Sequence, residues 1–261
     1  MEHPLEKKKT GLSSLSLRAI AFLFLVIGIV GEVIFQNTLL NISQHDSESL
    51  LAAMQGSETV MLYASLALAM QAIGTCAVPL FAFLCVQGGE NTKSFTKYLT
   101  RVAILALICE IPYNLAVSGK WIDISARNPV FSIVFAVIMM YFYKRYAEKS
   151  GMNTAIKLAV TVAAIAWVSI LRVDEGIPVM LLVAVLWTLR EKPTFRTLAG
   201  CVVATACSII SPFYSLSLFA FIFIHLYNGE KGGENKVVNY AAYPVFLVFV
   251  VLTAYMIKTM T

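Results

Sequence analysis

The chain is built from long apolar runs separated by short polar loops, and this alternation decides what it can fold into. A helix needs about 20 mostly apolar residues to cross a bilayer. Nine stretches of the 261-residue chain approach that length: 17–36, 59–87, 98–118, 129–147, 154–172, 176–190, 195–209, 212–228 and 237–258. Composition agrees, with 59% hydrophobic and 13% charged residues, where a soluble domain carries about 25% charge and about 45–50% apolar residues. One buried core cannot absorb that excess, so lipid is the expected solvent for most of the chain. The predicted fold is all-α, a polytopic transmembrane helix bundle of about nine spans. Residues 1–16 form a polar N-terminal tail and 17–261 a single transmembrane domain. The first apolar run is too long for a cleaved signal and no A-x-A-like site follows it, so it is expected to be the first retained helix.

Charge on the loops gives the orientation. Of the 20 Lys and Arg residues, sixteen fall on one side of a nine-span arrangement, and only Lys120, Arg127, Arg172 and Lys258 on the other. The positive-inside rule then predicts a cytoplasmic N-terminus. The formal net charge of +5 is spread over these loops and makes no basic patch, which argues against a nucleic-acid partner. The loop 37–58 has no Lys or Arg, carries Asp46, Glu48 and Glu58, and is predicted to face outward with a short interfacial helix over Ser49–Met54. Asn41-Ile42-Ser43 matches a glycosylation acceptor, a pattern without meaning in a bacterium. The second span is long for one crossing and contains Pro79, so it is tilted, kinked, or two helices split near Gly74. Pro212 suits a helix start.

Charged groups inside a bilayer cost roughly 2.5–3.5 kcal/mol each and need a reason. Glu110 lies deep in the third span, two residues before Pro112 and four before Asn114. Positions four apart share a helix face, so Glu110 and Asn114 can point into one cavity. Two readings stay open for Glu110. It is a general acid, base or substrate clamp, or it is a packing carboxylate paired with Arg101 or a backbone group. Glu32, near the outer end of the first span, can reach the interface. Asp174-Glu175 occupies a short outer turn, either solvated or at a cavity mouth. The three histidines, His3, His45 and His225, lie far from Glu110 in sequence. The five cysteines sit in apolar segments with no CxxC pair, which reads as buried small hydrophobes and no metal site.

Three stretches together resemble the TraX family, membrane proteins named for the F-pilin acetylase and related to larger acyltransferase families. Ile73-Gly74 through Val78-Pro79-Leu80-Phe81-Ala82-Phe83 to Val86-Gln87-Gly88 is similar to that family's I-G-R-x-A-F-P-x-F-A-F-x-x-V-E-G. Lys97-Tyr98-Leu99, Arg101 and Cys109-Glu110-Ile111-Pro112-Tyr113-Asn114-Leu115-Ala116 with Ser118-Gly119 is similar to K-Y-x-x-R … S-E-I-P-F-N-L-A-x-S-G. Asn128 to Phe131 resembles N-V-F-F-T. Weaker echoes are Asp174-Glu175-Gly176, Tyr227-Asn228-Gly229 and Tyr243-Pro244.

The resemblance implies an acetyl transfer from acetyl-CoA to a small membrane peptide or pilin-like substrate in a bacterial plasma membrane. It carries over Glu110 as catalytic, with Asn114, Asn128 and Gln87 as substrate-binding. Departures fall on the polar positions. The family's first helix reads I-D-H-I-G where this chain has Ile27-Gly28-Ile29-Val30-Gly31, its arginine is Thr75, its V-E-G glutamate is Gln87, and its late histidine falls on Phe246. An acetyl transfer needs a base near the acceptor, and the Asp-His pair is absent. A catalytically degenerate relative that binds a membrane peptide, lipid or partner subunit is therefore the alternative. A small transporter using Glu110 as a proton or ion site is a third reading, without a visible inverted repeat.

Overall fold

The computed structural model describes residues 10–42, 47–233 and 236–260. Expectations resting on Lys7–Lys9, His3, His45, Asp46 and Ser43 lie outside the described residues, as do those on the side chains of Glu48 and Lys236. The described chain is helical throughout: α1 (Ser14–Val30), a π-helical continuation (Gly31–Leu39), α2 (Ser47–Gly56), α3 (Glu58–Gly74), α4 (Ala77–Asn91), α5 (Phe95–Ser118), α6 (Val130–Arg145), α7 (Gly151–Ile170), α8 (Gly176–Thr188), α9 (Pro193–Cys207), a 3-10 segment (Pro212–Phe219), α10 (Ala220–His225) and α11 (Lys236–Met260).

Local chemistry sets many of these boundaries. Ser13, Ser57, Ser94 and Ser150 each stand before a helix and accept a backbone N–H from its first turn, at 3.2, 3.5, 3.4 and 3.1 Å. Gly119 ends α5 in the left-handed region at φ 70°. Pro193 and Pro212 open their segments, where a missing N–H costs nothing. Pro79 explains the break in the second predicted span. Its ring excludes the carbonyl four residues back, which is that of Thr75. That carbonyl bonds instead to Val78 N at 3.1 Å. Thr75 and Cys76 keep right-handed dihedrals, so α3 and α4 follow one another as a kinked rod.

Among the described residues five helical stretches, against the nine expected, are long and apolar enough to cross a membrane: Ser14–Leu39, Glu58–Asn91, Phe95–Ser118, Gly151–Ile170 and Tyr240–Met260. The expected sixth and eighth spans, Gly176–Thr188 and Pro212–His225, are shorter apolar helices. The outward faces show what solvent the bundle is made for. Only 17% of the apolar window of α7 and 11% of that of α11 is buried. Leu107, Ile108, Leu158, Ile170, Val202 and Phe249 stand exposed. Apolar surface on that scale marks contact with lipid or another protein. The short helix expected over Ser49–Met54 is present as part of α2.

Residues Gly176–Leu186 of α8 are almost wholly apolar, and α8 is the most enclosed helix, packed by α4, α6, α7 and α9. The rod of α1 and its π-helical continuation lies along α3 and α4. Gly28 and Gly74 meet at their crossing: a Cβ built on Gly74 would stand 2.5 Å from the Gly28 Cα. Gly31 approaches α3 as closely, with Met70 Cβ 2.7 Å from where its own Cβ would be. A second, smaller apolar cluster joins Ile29, Val33, Cys109, Tyr113, Tyr243 and Leu247 from α1, its continuation, α5 and α11. It floors the polar site described next.

Gly74→Leu forces the two rods apart and is expected to cost about 1–3 kcal/mol, read as a lowered thermal unfolding midpoint in detergent. Gly56→Ala, where a Cβ meets nothing within 4 Å, leaves the midpoint unchanged.

Candidate functional site

The α5–α6 connection and the α7–α8 turn form one structure. Arg127 N donates to Arg172 O at 2.9 Å, and Asp174 N donates to Arg127 O at 3.0 Å, a short parallel bridge between the two segments. Upstream, Asp123 Oδ1 accepts the Ser125 N–H at 2.8 Å and its hydroxyl at 2.6 Å. These bonds hold the Asp123 carboxyl at about 2, below its ordinary value. Arg172 and Glu175 both have positive φ, 52° and 58°. Non-glycine residues adopt that region at a cost, and such residues cluster where surrounding structure fixes them for use.

This scaffold delivers Arg127 and Asn128 to Glu110. Arg127 Nη1 donates to Glu110 Oε1 at 2.8 Å, and the Asn128 side-chain amide donates to Oε2 at 2.6 Å. The Asn128 backbone N–H adds a third bond at 3.3 Å. Fully buried Asn128 also donates to Ala106 O at 3.0 Å and accepts from Val130 N at 3.0 Å. Both its side-chain donors are spent, so Asn128 positions Glu110 and starts α6. The expected partner Arg101 plays no such part: it is exposed, nine positions earlier on α5.

One turn further, Tyr113 donates its hydroxyl to Asp174. Asp174 in turn lies within electrostatic reach of Glu110 and of Glu32, which opens the π-helical segment. Glu175 is near both Asp174 and Glu32. From α11, Tyr243 closes the group; its hydroxyl is buried without a hydrogen-bond partner and faces Glu32, Asp174 and Glu110. The result is four carboxyl groups and two phenols drawn together from four segments. Among the described residues Arg127 is the cation ion-paired with this group. Burial, with Asp174 and Glu32 nearby, pushes the Glu175 carboxyl up to about 8. Burial also raises Asp174, against the hydrogen bond from Tyr113.

Of the residues expected from sequence, the structure brings Glu110 and Asn128 together. Buried Asn114 lies one turn beyond Glu110, its carbonyl accepting from Ser118 at 2.9 Å. Gln87 is elsewhere, in the last turns of α4, donating to Glu90 at 2.7 Å. Arg127, Tyr113, Tyr243 and the proximity of Glu32 to Asp174 were not expected. Tyr113, three residues after Glu110, carried a signal in helical spacing. Arg127 and Tyr243 arrive through tertiary contacts that no local spacing reports. Among the described residues no group of His, Cys, Asp and Glu has the arrangement of a metal site.

Asn128→Ala removes two buried donors from their acceptors and is expected to cost about 2 kcal/mol, measured by thermal unfolding. A carboxyl held above its ordinary value binds more protons folded than unfolded, so stability falls as pH rises between the two values. For Glu175 that interval runs from 4.5 to about 8. Glu175→Gln is therefore expected to flatten the decline of the unfolding midpoint with pH in that interval. The part due to Asp174 remains.

The family described as TraX protein matches residues 13–254. No curated protein and no solved structure gives a significant match. The match takes in every helix from α1 through nearly all of α11 and every residue of the site, and the chain belongs to the TraX family.

Proposed function

We propose that the chain is an integral membrane acetyltransferase whose acceptor is an amine of a small membrane peptide or pilin-like protein, with acetyl-CoA as the donor substrate. The observation carrying this reading is the convergence of four carboxyl groups, Glu110, Glu32, Asp174 and Glu175, with Arg127, paired to Glu110, as the ion-paired cation among the described residues. An amine arrives as an ammonium ion, which such a site attracts and orients. It must then lose a proton before its lone pair can attack the acetyl carbonyl carbon. Glu110, fixed by Arg127 and Asn128, is the group assigned to hold the ammonium and take that proton. The C–S bond then breaks and the CoA thiolate leaves with the electron pair. Asn114 is assigned to the acceptor side, which faces outward in the proposed topology of nine crossings with a cytoplasmic N-terminus in a bacterial plasma membrane. Gln87, at the other end of α4, is assigned to the donor side.

A second reading is favoured by the Gly28–Gly74 crossing. The family's aspartate position is Gly28 here, and a Cβ there would lie 3.0 Å from the Gly74 Cα. The closed crossing leaves no room for a carboxylate side chain. Thr75, at the family's arginine position, is buried and its hydroxyl bonds Ala72 O and Phe213 O at 2.7 and 3.0 Å. Without these groups the same acidic site serves to bind a cationic membrane peptide as an accessory subunit.

Transfer of radiolabelled acetyl groups to co-reconstituted membrane peptides tests the first reading. Glu110→Gln is expected to abolish transfer with the unfolding midpoint retained; a fully active variant removes Glu110 from the chemistry. Folded wild-type protein that neither binds nor consumes acetyl-CoA leaves the accessory reading.

A further inference from the structure

The other end of the bundle holds a second cluster, built around two arginines. Arg196, in the first turn of α9, is only 8% exposed, and its Nε is buried with no hydrogen-bond partner. Its guanidinium lies 4.8 Å from the centre of the Phe83 ring, itself fully buried. Arg190 follows α8, its guanidinium 5.0 Å from the Trp187 ring and its Nη1 donating to Trp187 O at 3.0 Å. One carboxylate stands between them: Glu90, 3.7 Å from Arg190 Nε, within electrostatic reach of Arg196 and bonded by Gln87.

Arg190 Nη2 also pairs with the exposed Glu191 at 3.4 Å, so Arg190 has two carboxylates, whereas Arg196 has none within ion-pair distance among the described residues. A buried N–H without an acceptor costs about 1–3 kcal/mol, more when charged. The position of Arg196 adds to its cost, since a cation at a helix N-terminus opposes the macrodipole. No acidic residue occupies the first turn of α9 and no side chain caps it. Phe83 and Trp187 lie against the two guanidiniums, contacts that restrict the side chains while leaving their N–H groups for an oxyanion.

We propose that Arg196 and Arg190 form a binding site for the phosphate of a phosphorylated ligand, with Arg196 Nε supplying the innermost donor. The phosphate belongs to a soluble compound entering from the basic side of the bundle or to the headgroup of an anionic lipid. The inference does not rest on acetyl transfer. The Glu175 turn and Arg190 flank opposite ends of α8, about 20 Å apart at 1.5 Å per residue.

The full-length protein in phosphatidylcholine nanodiscs is titrated with inorganic pyrophosphate by calorimetry. A parallel set containing phosphatidylglycerol is scored by native mass spectrometry for retained lipid. Saturable pyrophosphate binding identifies a soluble phosphate compound, and selective retention of phosphatidylglycerol alone identifies a headgroup. Arg196→Gln and Arg196→Lys are each expected to weaken the binding about tenfold, about 1.4 kcal/mol, because lysine keeps the charge and loses the fork. Should either fail to fold, Arg190→Gln gives the same comparison from the more exposed arginine. The proposal is overturned if folded wild-type protein holds neither ligand, or if Arg196→Lys and Arg190→Gln bind as wild type does. Glu110→Gln is expected to bind pyrophosphate normally, so failure of the acetyl-transfer reading leaves this result standing.

Discussion

The contact between Gly28 and Gly74 is the one on which the arrangement of the other helices depends. In lipid, apolar side chains gain nothing by leaving their solvent, so helices associate through close packing and polar contacts. Two glycines without side chains allow backbone to touch backbone where the first helical rod crosses the kinked α3–α4 rod. Just past this contact the chain breaks at Thr75 and Cys76. The break frees Thr75 Oγ1 and Cys76 Sγ to bond carbonyls of Phe213 and Leu216, at 3.0 and 3.2 Å. The 3-10 segment is thereby tied to the same crossing, and α10, α4 and α8 pack outward from it.

The site at Glu110 is the product of two loops more than of one helix. An apolar helix with a buried acid cannot satisfy it alone, and neighbours on α5 supply none of the donors found at its carboxylate. Arg127 and Asn128 do so because their segment is hydrogen-bonded to the 171–175 turn. The carboxylate that neutralises Arg127 and the turn that carries Asp174 are parts of one assembly. Acidic groups from the π-helical segment and the α7–α8 turn, and a phenol from α11, then lie within electrostatic reach of one another.

How much of this was legible in the sequence follows from the range of each interaction. Apolar runs, serine caps and prolines act within a few residues, so the helices, the α2 segment and the kink near Gly74 could be read directly. Glu110 was conspicuous because charge inside an apolar run has no local excuse. Its true partner was not legible: Arg127 lies 17 positions away, across a loop whose path is set by contacts with residues near 173. The Asp174–Glu175 turn could be read either as solvated or as a cavity mouth, because the positive φ of Glu175 and the partial burial of both residues exist only in three dimensions. The shorter α6, α8 and α9 had the same apolar signature as the longer runs, and hydropathy alone does not report where a helix stops.

Helix α8 has one mechanical property that matters for any event at either end. Its only proline, Pro178, lies in the first turn, where it breaks no hydrogen bond, and from there to Thr188 nothing interrupts the ladder. It has no hinge, and close packing on several sides denies it room to bend. Such an element translates or rotates as a piece. The spacing between the Asp174–Glu175 turn and Arg190 is therefore set by an uninterrupted helix, which holds the two ends at a fixed separation.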